Sequence, residues 1–262
     1  MKSKIVSNAI VNFKLNLRMK IIIAIILTTA IQSCKTNFIQ SRNTISQTKL
    51  DSTIKADESI LKYYEPYKHS LDSQMSAVLV VSSVELTKGQ PESNLSNLFS
   101  DAIASTCRTH NAVFDFALPT TNGGIRTNLP KGAITLRSAF ELMPFENELV
   151  ILYLNANSVQ KLAKFIVDKG GQPVSGIKIT AIKDSVTSIL INNQPIDPAK
   201  TYRVLTSDYL ANGGDGIVAF KEALKRDNLN IKVRDAIIEY MRAENSAGRT
   251  LNPTLDGRIK IE

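Results

Sequence analysis

Two hydrophobic periods alternate through residues 77–244, and this alternation limits the chain to folds that pack helices on sheets. Runs rich in β-branched and aromatic residues at 77–84 and 112–118 predict strands, and apolar residues at helical spacing from Leu95 to Ile103 predict a helix between them. Further helices are predicted from an Asn157 cap to Gly170 and at 233–244. Further strands are predicted at 148–154, 177–182, 185–191 and 202–207. This order of elements predicts an α+β domain with mixed β-sheets and packed helices.

The first 33 residues are typical of an export signal. Residues 21–31 form an apolar run after a basic stretch, and a helix of that length is too short to span about 30 Å of hydrocarbon. Gln32, Ser33 and Cys34 follow in the pattern of a bacterial lipoprotein cleavage box. We therefore expect a signal peptide at 1–33, lipidation of Cys34, and a lipid-anchored place in the cell envelope, on the periplasmic or outer-membrane face. An uncleaved anchor helix and a plain secretory signal are the alternatives.

The segment that follows predicts a tether and then one folded domain. Residues 34–56 are rich in Thr, Ser, Asn, Gln and Lys, a composition typical of a linker. The domain is predicted over 57–262 and opens with a short helix at 57–68, which Pro66 would interrupt.

The positive charge of the chain does not indicate a nucleic-acid partner. The formal net charge is +8, but Lys2, Lys4, Lys14, Arg18 and Lys20 lie in the first 33 residues, which hold no acid. The remainder has 27 basic and 24 acidic residues, with no basic block dense enough to follow a phosphate backbone. We therefore expect no nucleic-acid binding.

The second cysteine of the chain, Cys107, falls within the predicted helix after residue 94. Its simplest interpretation is a small buried apolar residue. The alternative is a thiol nucleophile activated by His110, three positions further on, although no other nucleophile signature accompanies it.

Three loops next to predicted strands combine glycine or proline with polar or aromatic side chains. The loop at 121–126 brings Asn122 and Arg126, whose planar guanidinium suits a phosphate or carboxylate. The loop at 143–147 brings Phe145 as a flat apolar face and Asn147 as a hydrogen-bonding group. The alternative for the first loop is an ordinary turn with a surface arginine, and the alternative for the second is a buried Phe in a turn that closes the core.

The third loop, at 208–216, brings Tyr209 and Asp215. Tyr209 offers a second stacking face and Asp215 a carboxylate that can accept hydrogen bonds from sugar hydroxyls; a mobile loop is the alternative. Two aromatic rings, an arginine and an aspartate on neighbouring loops suit a nucleotide, because bases stack on rings and phosphates pair with guanidinium groups.

Four motifs in this order resemble the C-terminal domain of the 5′-nucleotidases. They are Gly123-Gly124-Ile125-Arg126, the segment 129–135 (LPKGAIT), Pro144-Phe145 with Asn147, and the segment 209–216 (YLANGGDG). The helix at 92–102 resembles the opening helix of that domain, so the resemblance runs from about residue 75 to 262.

The resemblance implies a role for each of seven residues. Phe145 and Tyr209 would sandwich the base, Arg126 would reach the phosphate, and Asp215 would bind the ribose hydroxyls. Asn147 and the backbone of Gly176 would lie beside the base, and Asn122 matches a position where relatives have a polar residue or glycine.

The resemblance also implies what this chain lacks. Relatives carry further arginines just before the opening helix, where residues 85–92 offer Lys88. Their catalytic step needs a dinuclear metal centre in a separate N-terminal domain, whereas His69 and His110 here have no metal-ligand context and are expected to be ordinary surface residues. We therefore predict no catalytic and no metal-ligating residue in this chain, and divalent metals on a partner phosphatase.

Three functional hypotheses follow. The first is a nucleotide- or nucleoside-binding domain of a 5′-nucleotidase-type hydrolase that works with a separate metallophosphatase chain. The second is an autonomous hydrolase with an unrecognised mechanism that uses Asp101 or Asp215, although the spacing of the carboxylates indicates no paired acid and base. The third is a non-catalytic scavenging lipoprotein whose pocket has lost its ligand.

Overall fold

The computed structural model describes residues 16–31 and 45–262. Helices within these ranges are α1 (Leu17–Ile31), α2 (Glu58–Met75), α3 (Asn94–Thr109), α4 (Leu136–Leu142), α5 (Ala156–Asp168), α6 (Asp208–Ala211) and α7 (Val233–Ser246). Short 3-10 turns cover Gly214–Gly216 and Val218–Glu222. The strands are β1 (Val78–Ser82), β2 (Phe116–Leu118), β3 (Gly132–Thr135), β4 (Glu148–Asn155), β5 (Ile177–Ile182), β6 (Ser185–Ile191), β7 (Gln194–Pro195), β8 (Thr201–Ser207), β9 (Lys225–Lys232) and β10 (Ile259–Ile261).

A four-stranded mixed sheet in the order β2-β8-β4-β9 forms the centre of the domain. Strand β8 is parallel to β2 and antiparallel to β4, and β4 is antiparallel to β9. Strand β4 has the sequence ELVILYLN and is apolar at nearly every position. A continuous apolar run of this kind indicates a strand that is covered on both faces.

The two faces of this sheet contribute to two separate hydrophobic cores. Leu149 and Ile151 pack with α3, α4 and α7, whereas Val150, Leu152 and Leu154 pack with α5 and strands β5 and β6. The alternation follows from the two-residue period of a strand, which points successive side chains to opposite faces. Helix α5 buries Val159, Leu162, Ala163 and Ile166 on one face, as an amphipathic helix that covers a sheet does.

Two further sheets, one of four strands and one of two, complete the domain. Strands β10, β5, β6 and β7 form the second sheet, in which β5 and β6 make an antiparallel hairpin, and β1 pairs antiparallel with β3. Arg258, at the edge of the second sheet, is almost fully buried and donates to both carboxylate oxygens of Asp101 at 2.9 Å and to those of Asp256 at 2.9 Å. This ion-pair network ties the C-terminal segment to α3.

The predicted α+β class with mixed sheets and packed helices is confirmed. The strands predicted at 177–182 and 185–191 have the predicted bounds, and those at 148–154 and 202–207 differ from the observed strands by one residue. A compact unit covers Asp57–Glu262.

Three local predictions were wrong in detail. The strand predicted at 112–118 is limited to β2; Asp115, just before it, donates its backbone N–H to the Arg203 carbonyl, and its carboxylate accepts hydrogen bonds from the Arg203 backbone N–H and guanidinium. Helix α5 is capped by Asn155 rather than Asn157, since the Asn155 side chain accepts from the Ser158 N–H. Helix α2 continues through Pro66 to Met75, with an ion pair between Lys68 and Asp72 one turn later. A proline removes one N–H donor from a helix but does not always end it.

The N-terminal predictions fall only partly within the described residues. The apolar run predicted as the signal core lies in helix α1, and Cys34, the predicted lipidation site, lies outside the described residues. Within 16–31 and 45–262, none of the helices combines the length and apolar character needed to cross a membrane.

Candidate functional site

Three loops meet at one edge of the central sheet because of how its strands are paired. Leu118 at the end of β2 is opposite Thr206, and Leu149 at the start of β4 is opposite Ser207 at the end of β8. The segments after β2, before β4 and after β8 therefore leave the sheet at the same edge. A hydrogen bond from the Glu148 N–H to the Asp208 carboxylate, at 3.1 Å, joins the last two. These segments are the three loops that the sequence singled out.

Between the loops lies a pocket of about 340 Å³. Ligand sites in proteins commonly measure roughly 300 to 1,000 Å³, so the pocket can enclose a ligand the size of a nucleoside. Predicted site residues from all three loops line it together. The full lining consists of Thr120, Gly123, Gly124, Arg126, Met143, Phe145, Asn147, Ser207, Tyr209 and Asp215.

Arg126 and Phe145 lie on the same side of the pocket. The guanidinium carbon of Arg126 is 5.9 Å from the centroid of the Phe145 ring, within the range of a cation–π contact. One guanidinium nitrogen, Nη1, donates to the Gly123 carbonyl at 3.0 Å, which fixes the side chain over its own loop. The Phe145 ring is 40% exposed, which contradicts the alternative of a core-closing phenylalanine.

A buried arginine that the sequence did not single out holds the turn that carries Phe145. Arg234, in the first turn of α7, stacks on Phe140 at 4.1 Å and contacts the carbonyl oxygens of Met143 and Phe145. It also pairs with Glu146, which accepts a second ion pair from Lys232. The two cations lower the pKa of Glu146 to about 2. A cation in the first turn of a helix opposes the helix dipole, and this mismatch is the signal that could have identified Arg234.

Tyr209, Asp215 and Thr121 form a hydrogen-bonded group, and Tyr209 and Asp215 line the pocket. The Tyr209 hydroxyl donates to Asp215 Oδ1 at 2.9 Å, and the Thr121 hydroxyl donates to Asp215 Oδ2. The hydrogen bond to this carboxylate raises the pKa of Tyr209 above its usual value, so the phenol remains a donor at neutral pH. The Tyr209 ring is 50% exposed and Thr121 is 6% exposed. Sequence analysis missed Thr121, whose signal is its position as the first residue of the glycine turn.

The backbone of the 208–216 loop brings Asp215 and the Tyr209 ring together. Asp215 has a φ of 53°, in the left-handed region that aspartate adopts more readily than most residues other than glycine. Gly214 lies directly against the ring: a Cβ there would come within 2.5 Å of Tyr209 Cε1 and 2.6 Å of Cζ. The Tyr209 ring can therefore occupy its present position because residue 214 has no side chain.

The remaining predicted residues have three different placements. Asn147 lines the pocket and its carbonyl accepts from the Val233 N–H at 2.9 Å. The Asn122 side chain instead donates to the Gly171 carbonyl at 2.9 Å and anchors the glycine turn from behind. Gly176 does not reach this pocket, because β5 begins beside β2 and places Gly176 against Asp115 and Phe116 in a second pocket with Asp101 and Arg258.

Comparison with known proteins identifies the family to which this arrangement of loops belongs. The family model described as 5′-nucleotidase, C-terminal domain, matches residues 75–222. The chain belongs to this family. The match spans the three loops and so includes every residue that lines the pocket.

Individual relatives are similar to this 5′-nucleotidase C-terminal domain over part of their length. Protein UshA of Yersinia enterocolitica is 28% identical over 170 residues, which cover 62% of this chain and 30% of that protein. An apyrase of Tabanus yao is 26% identical over 241 residues, covering 81% of this chain and 43% of the apyrase. The crystal structure of a 5′-nucleotidase precursor from Thermus thermophilus has a TM-score of 0.66 at 27% identity, covering 78% of this chain and 42% of that one. The chain thus spans less than half the length of each.

The candidate nucleophile and metal ligands outside the pocket have ordinary structural surroundings. Cys107 is fully buried, and burial raises the pKa of its thiol to about 12, which opposes nucleophilic chemistry. His110 is exposed and pairs with Glu239 at 3.0 Å, and His69 is exposed next to Glu65. Asp101, considered above as a catalytic group, is bound by the Arg258 guanidinium. Among the described residues, no group of three or more His, Cys, Asp or Glu side chains is placed to hold a metal ion.

Proposed function

We propose that this 5′-nucleotidase C-terminal domain binds a nucleoside or nucleoside monophosphate between Phe145 and Tyr209. In this proposal the base stacks on the two rings, the ribose hydroxyls donate to Asp215, and the phosphate accepts hydrogen bonds from Arg126. Asn147 lies beside the base. Asn122 acts through the loop that it anchors, and Gly176, which lies in the second pocket, has no contact with the ligand.

The observation that carries the proposal is the pair of exposed rings in one pocket. Phe145 and Tyr209 adjoin different strands, are 40% and 50% exposed, and line the same cavity of about 340 Å³ with Arg126 and Asp215. Exposing two large aromatic rings to water is unfavourable unless a ligand covers them. The relatives include an apyrase and a 5′-nucleotidase precursor, names that agree with a nucleotide ligand.

We further propose that hydrolysis, where it occurs, takes place at a divalent-metal centre on a separate metallophosphatase chain. The chain aligns with 30% of Protein UshA of Yersinia enterocolitica and 43% of the apyrase, so more than half of each relative lies outside the aligned region. Arg126 is exposed and lines the pocket, so it can hold a phosphate for an approaching partner. Lipidation at Cys34 would keep the domain at the surface of a membrane in the cell envelope.

Calorimetric titration of the purified chain with adenosine and with AMP tests the binding proposal. Base–aromatic stacking contributes about 1 to 3 kcal/mol per ring, so Phe145→Ala and Tyr209→Ala should each weaken binding by about 5- to 150-fold. Tyr63→Ala, which removes an exposed ring from α2, is the matched control and should bind as the parent chain does. An absence of binding by the parent chain would contradict the proposal and favour a lipoprotein without a ligand.

A phosphate-release assay tests the role assigned to the partner. The purified chain is incubated with AMP and with Mg²⁺, Mn²⁺, Zn²⁺ or Co²⁺ in turn, and no release is expected. Metal-dependent turnover that survives further purification and is lost in Arg126→Ala would show that the chain is itself an enzyme. That result would leave the binding site in place and overturn the proposed partner.

A further inference from the structure

We propose that Thr121 and the Tyr209 hydroxyl are positioning groups that make the Asp215 carboxylate a selective acceptor for the two adjacent hydroxyls of a ribose. This inference rests on the proposed function and goes beyond it, because it assigns the preference for ribose over deoxyribose to two groups that do not themselves contact the sugar.

The Asp215 carboxylate has more acceptor sites than its two hydrogen bonds within the protein use. A carboxylate offers about four lone-pair positions, two on each oxygen. Oδ1 accepts from the Tyr209 hydroxyl and Oδ2 from the Thr121 hydroxyl. Each oxygen thus has one bracing bond and capacity for a further donor. Two neighbouring oxygens with one acceptor position each match a vicinal diol, which presents two donors side by side.

The two hydroxyl groups that brace Asp215 come from different parts of the chain. Thr121 belongs to the glycine turn after β2, in which its carbonyl accepts from the Gly124 N–H at 3.0 Å, and it is nine-tenths buried. Tyr209 belongs to helix α6 after β8. The carboxylate is therefore held from two sides, although Asp215 itself lies on an exposed loop. Fixing an exposed carboxylate before the ligand arrives removes much of the entropic cost of ordering it on binding.

Tyr209 links base stacking to sugar binding. The ring of Tyr209 is the proposed stacking face, and its hydroxyl is bonded to the proposed sugar-binding group. One side chain therefore sets the distance between the base and the ribose. A phenylalanine at this position would keep the stacking face and lose the brace.

The test measures the ratio of affinities for adenosine and 2′-deoxyadenosine by calorimetry on the full chain. A site whose acceptors are placed for both hydroxyls should bind adenosine at least about 10-fold more tightly than 2′-deoxyadenosine, since the deoxy ligand leaves one of the placed acceptors unpaired. In Thr121→Val and in Tyr209→Phe this ratio should fall toward one, while Thr121→Ser, which restores the hydroxyl, should recover it. The controls are Thr187→Val on β6 and Tyr63→Phe on α2, which should keep the parent ratio.

The ratio separates this inference from a general loosening of the pocket, because both ligands carry the same base. If the variants bind both ligands equally more weakly and the ratio of affinities does not change, the positioning role of Thr121 and the Tyr209 hydroxyl is overturned. The proposed nucleoside site would then remain in place. Failure of the parent chain to bind either adenosine or AMP would overturn the proposed function and this inference together.

Discussion

Replacing Gly214 by alanine should weaken ligand binding without weakening the fold. The added Cβ would lie 2.5 to 2.7 Å from three atoms of the Tyr209 ring, whereas carbon atoms in contact normally lie about 3.5 to 4.0 Å apart. The ring must therefore move by about 1 Å. Such a shift disrupts the stacking face and lengthens the 2.9 Å hydrogen bond from the Tyr209 hydroxyl to Asp215. We expect a loss of about 1 to 3 kcal/mol in binding adenosine, comparable to removal of the ring.

The stability of the same variant should remain unchanged or rise slightly. The φ of Gly214 lies outside the left-handed region, so alanine fits the backbone, and the ring that it displaces is half exposed and can move toward solvent at the cost of its hydrogen bond to Asp215. Replacing glycine by alanine at such a site commonly stabilises a protein by about 0.4 to 1 kcal/mol.

Calorimetry and thermal unfolding of four proteins test this reasoning: the parent, Gly214→Ala, Tyr209→Ala and the double variant. Because alanine at 214 is expected to act through the ring, it should cause no further loss of affinity when the ring is already absent. Parent-like affinity in Gly214→Ala, or additive losses in the double variant, would refute the argument.

Three further predictions concern the surroundings of the pocket. Arg126→Ala should weaken the binding of AMP by about 1.5 to 3 kcal/mol and the binding of adenosine by less, because the guanidinium pairs with the phosphate that adenosine lacks. Calorimetry with both ligands measures the difference. Lys232 and Arg234 hold the pKa of Glu146 at about 2, below its usual 4.5, so these ion pairs stabilise the fold fully above pH 4.5 and lose their contribution as the pH falls toward 2. Urea unfolding should accordingly show Glu146→Gln to be less stable than the parent at pH 7, and the difference in free energy of unfolding should be smaller at pH 3. A difference that does not change with pH would contradict a stabilising role for these ion pairs. Cys107, whose thiol has a pKa of about 12, should resist alkylation by iodoacetamide at pH 8 in the folded chain and react once the chain is unfolded, as followed by mass spectrometry.

The parts of the fold that were predictable from sequence have strong local patterns. Strands β5 and β6 alternate apolar and polar residues around the Lys183 turn, and β4 is almost continuously apolar, so their bounds follow from hydrophobic period. Strand β9 was missed because it is an edge strand whose sequence, KRDNLNIK, is mostly charged and polar. Charged residues are common on edge strands, where they prevent pairing with other chains, and they obscure the strand pattern.

The site was predictable in its residue types and only partly in its geometry. Arg126, Phe145, Asn147, Tyr209 and Asp215 could be chosen because their loops carry glycine, proline and aromatic residues beside strands. Thr121 and Arg234 have weaker local signals, the start of a glycine turn and a cation in the first turn of a helix, and their roles depend on partners 94 and 88 positions away in the chain. Gly176 was misplaced because its location depends on the pairing of Ala117 with Ser175, which has no local signal.

The sheet fixes the positions of the loop ends that carry the two rings. Phe145 precedes β4 and Tyr209 follows β8, and these strands are paired residue for residue from Leu149 and Ser207 onward. The hydrogen bond from Glu148 to Asp208 extends this pairing to the bases of both loops. Each ring then has a separate brace, Arg234 for the Phe145 turn and Asp215 for Tyr209. Because the braces share no residue and the strands are buried on both faces, breaking one brace should release its own ring and leave the other ring in position.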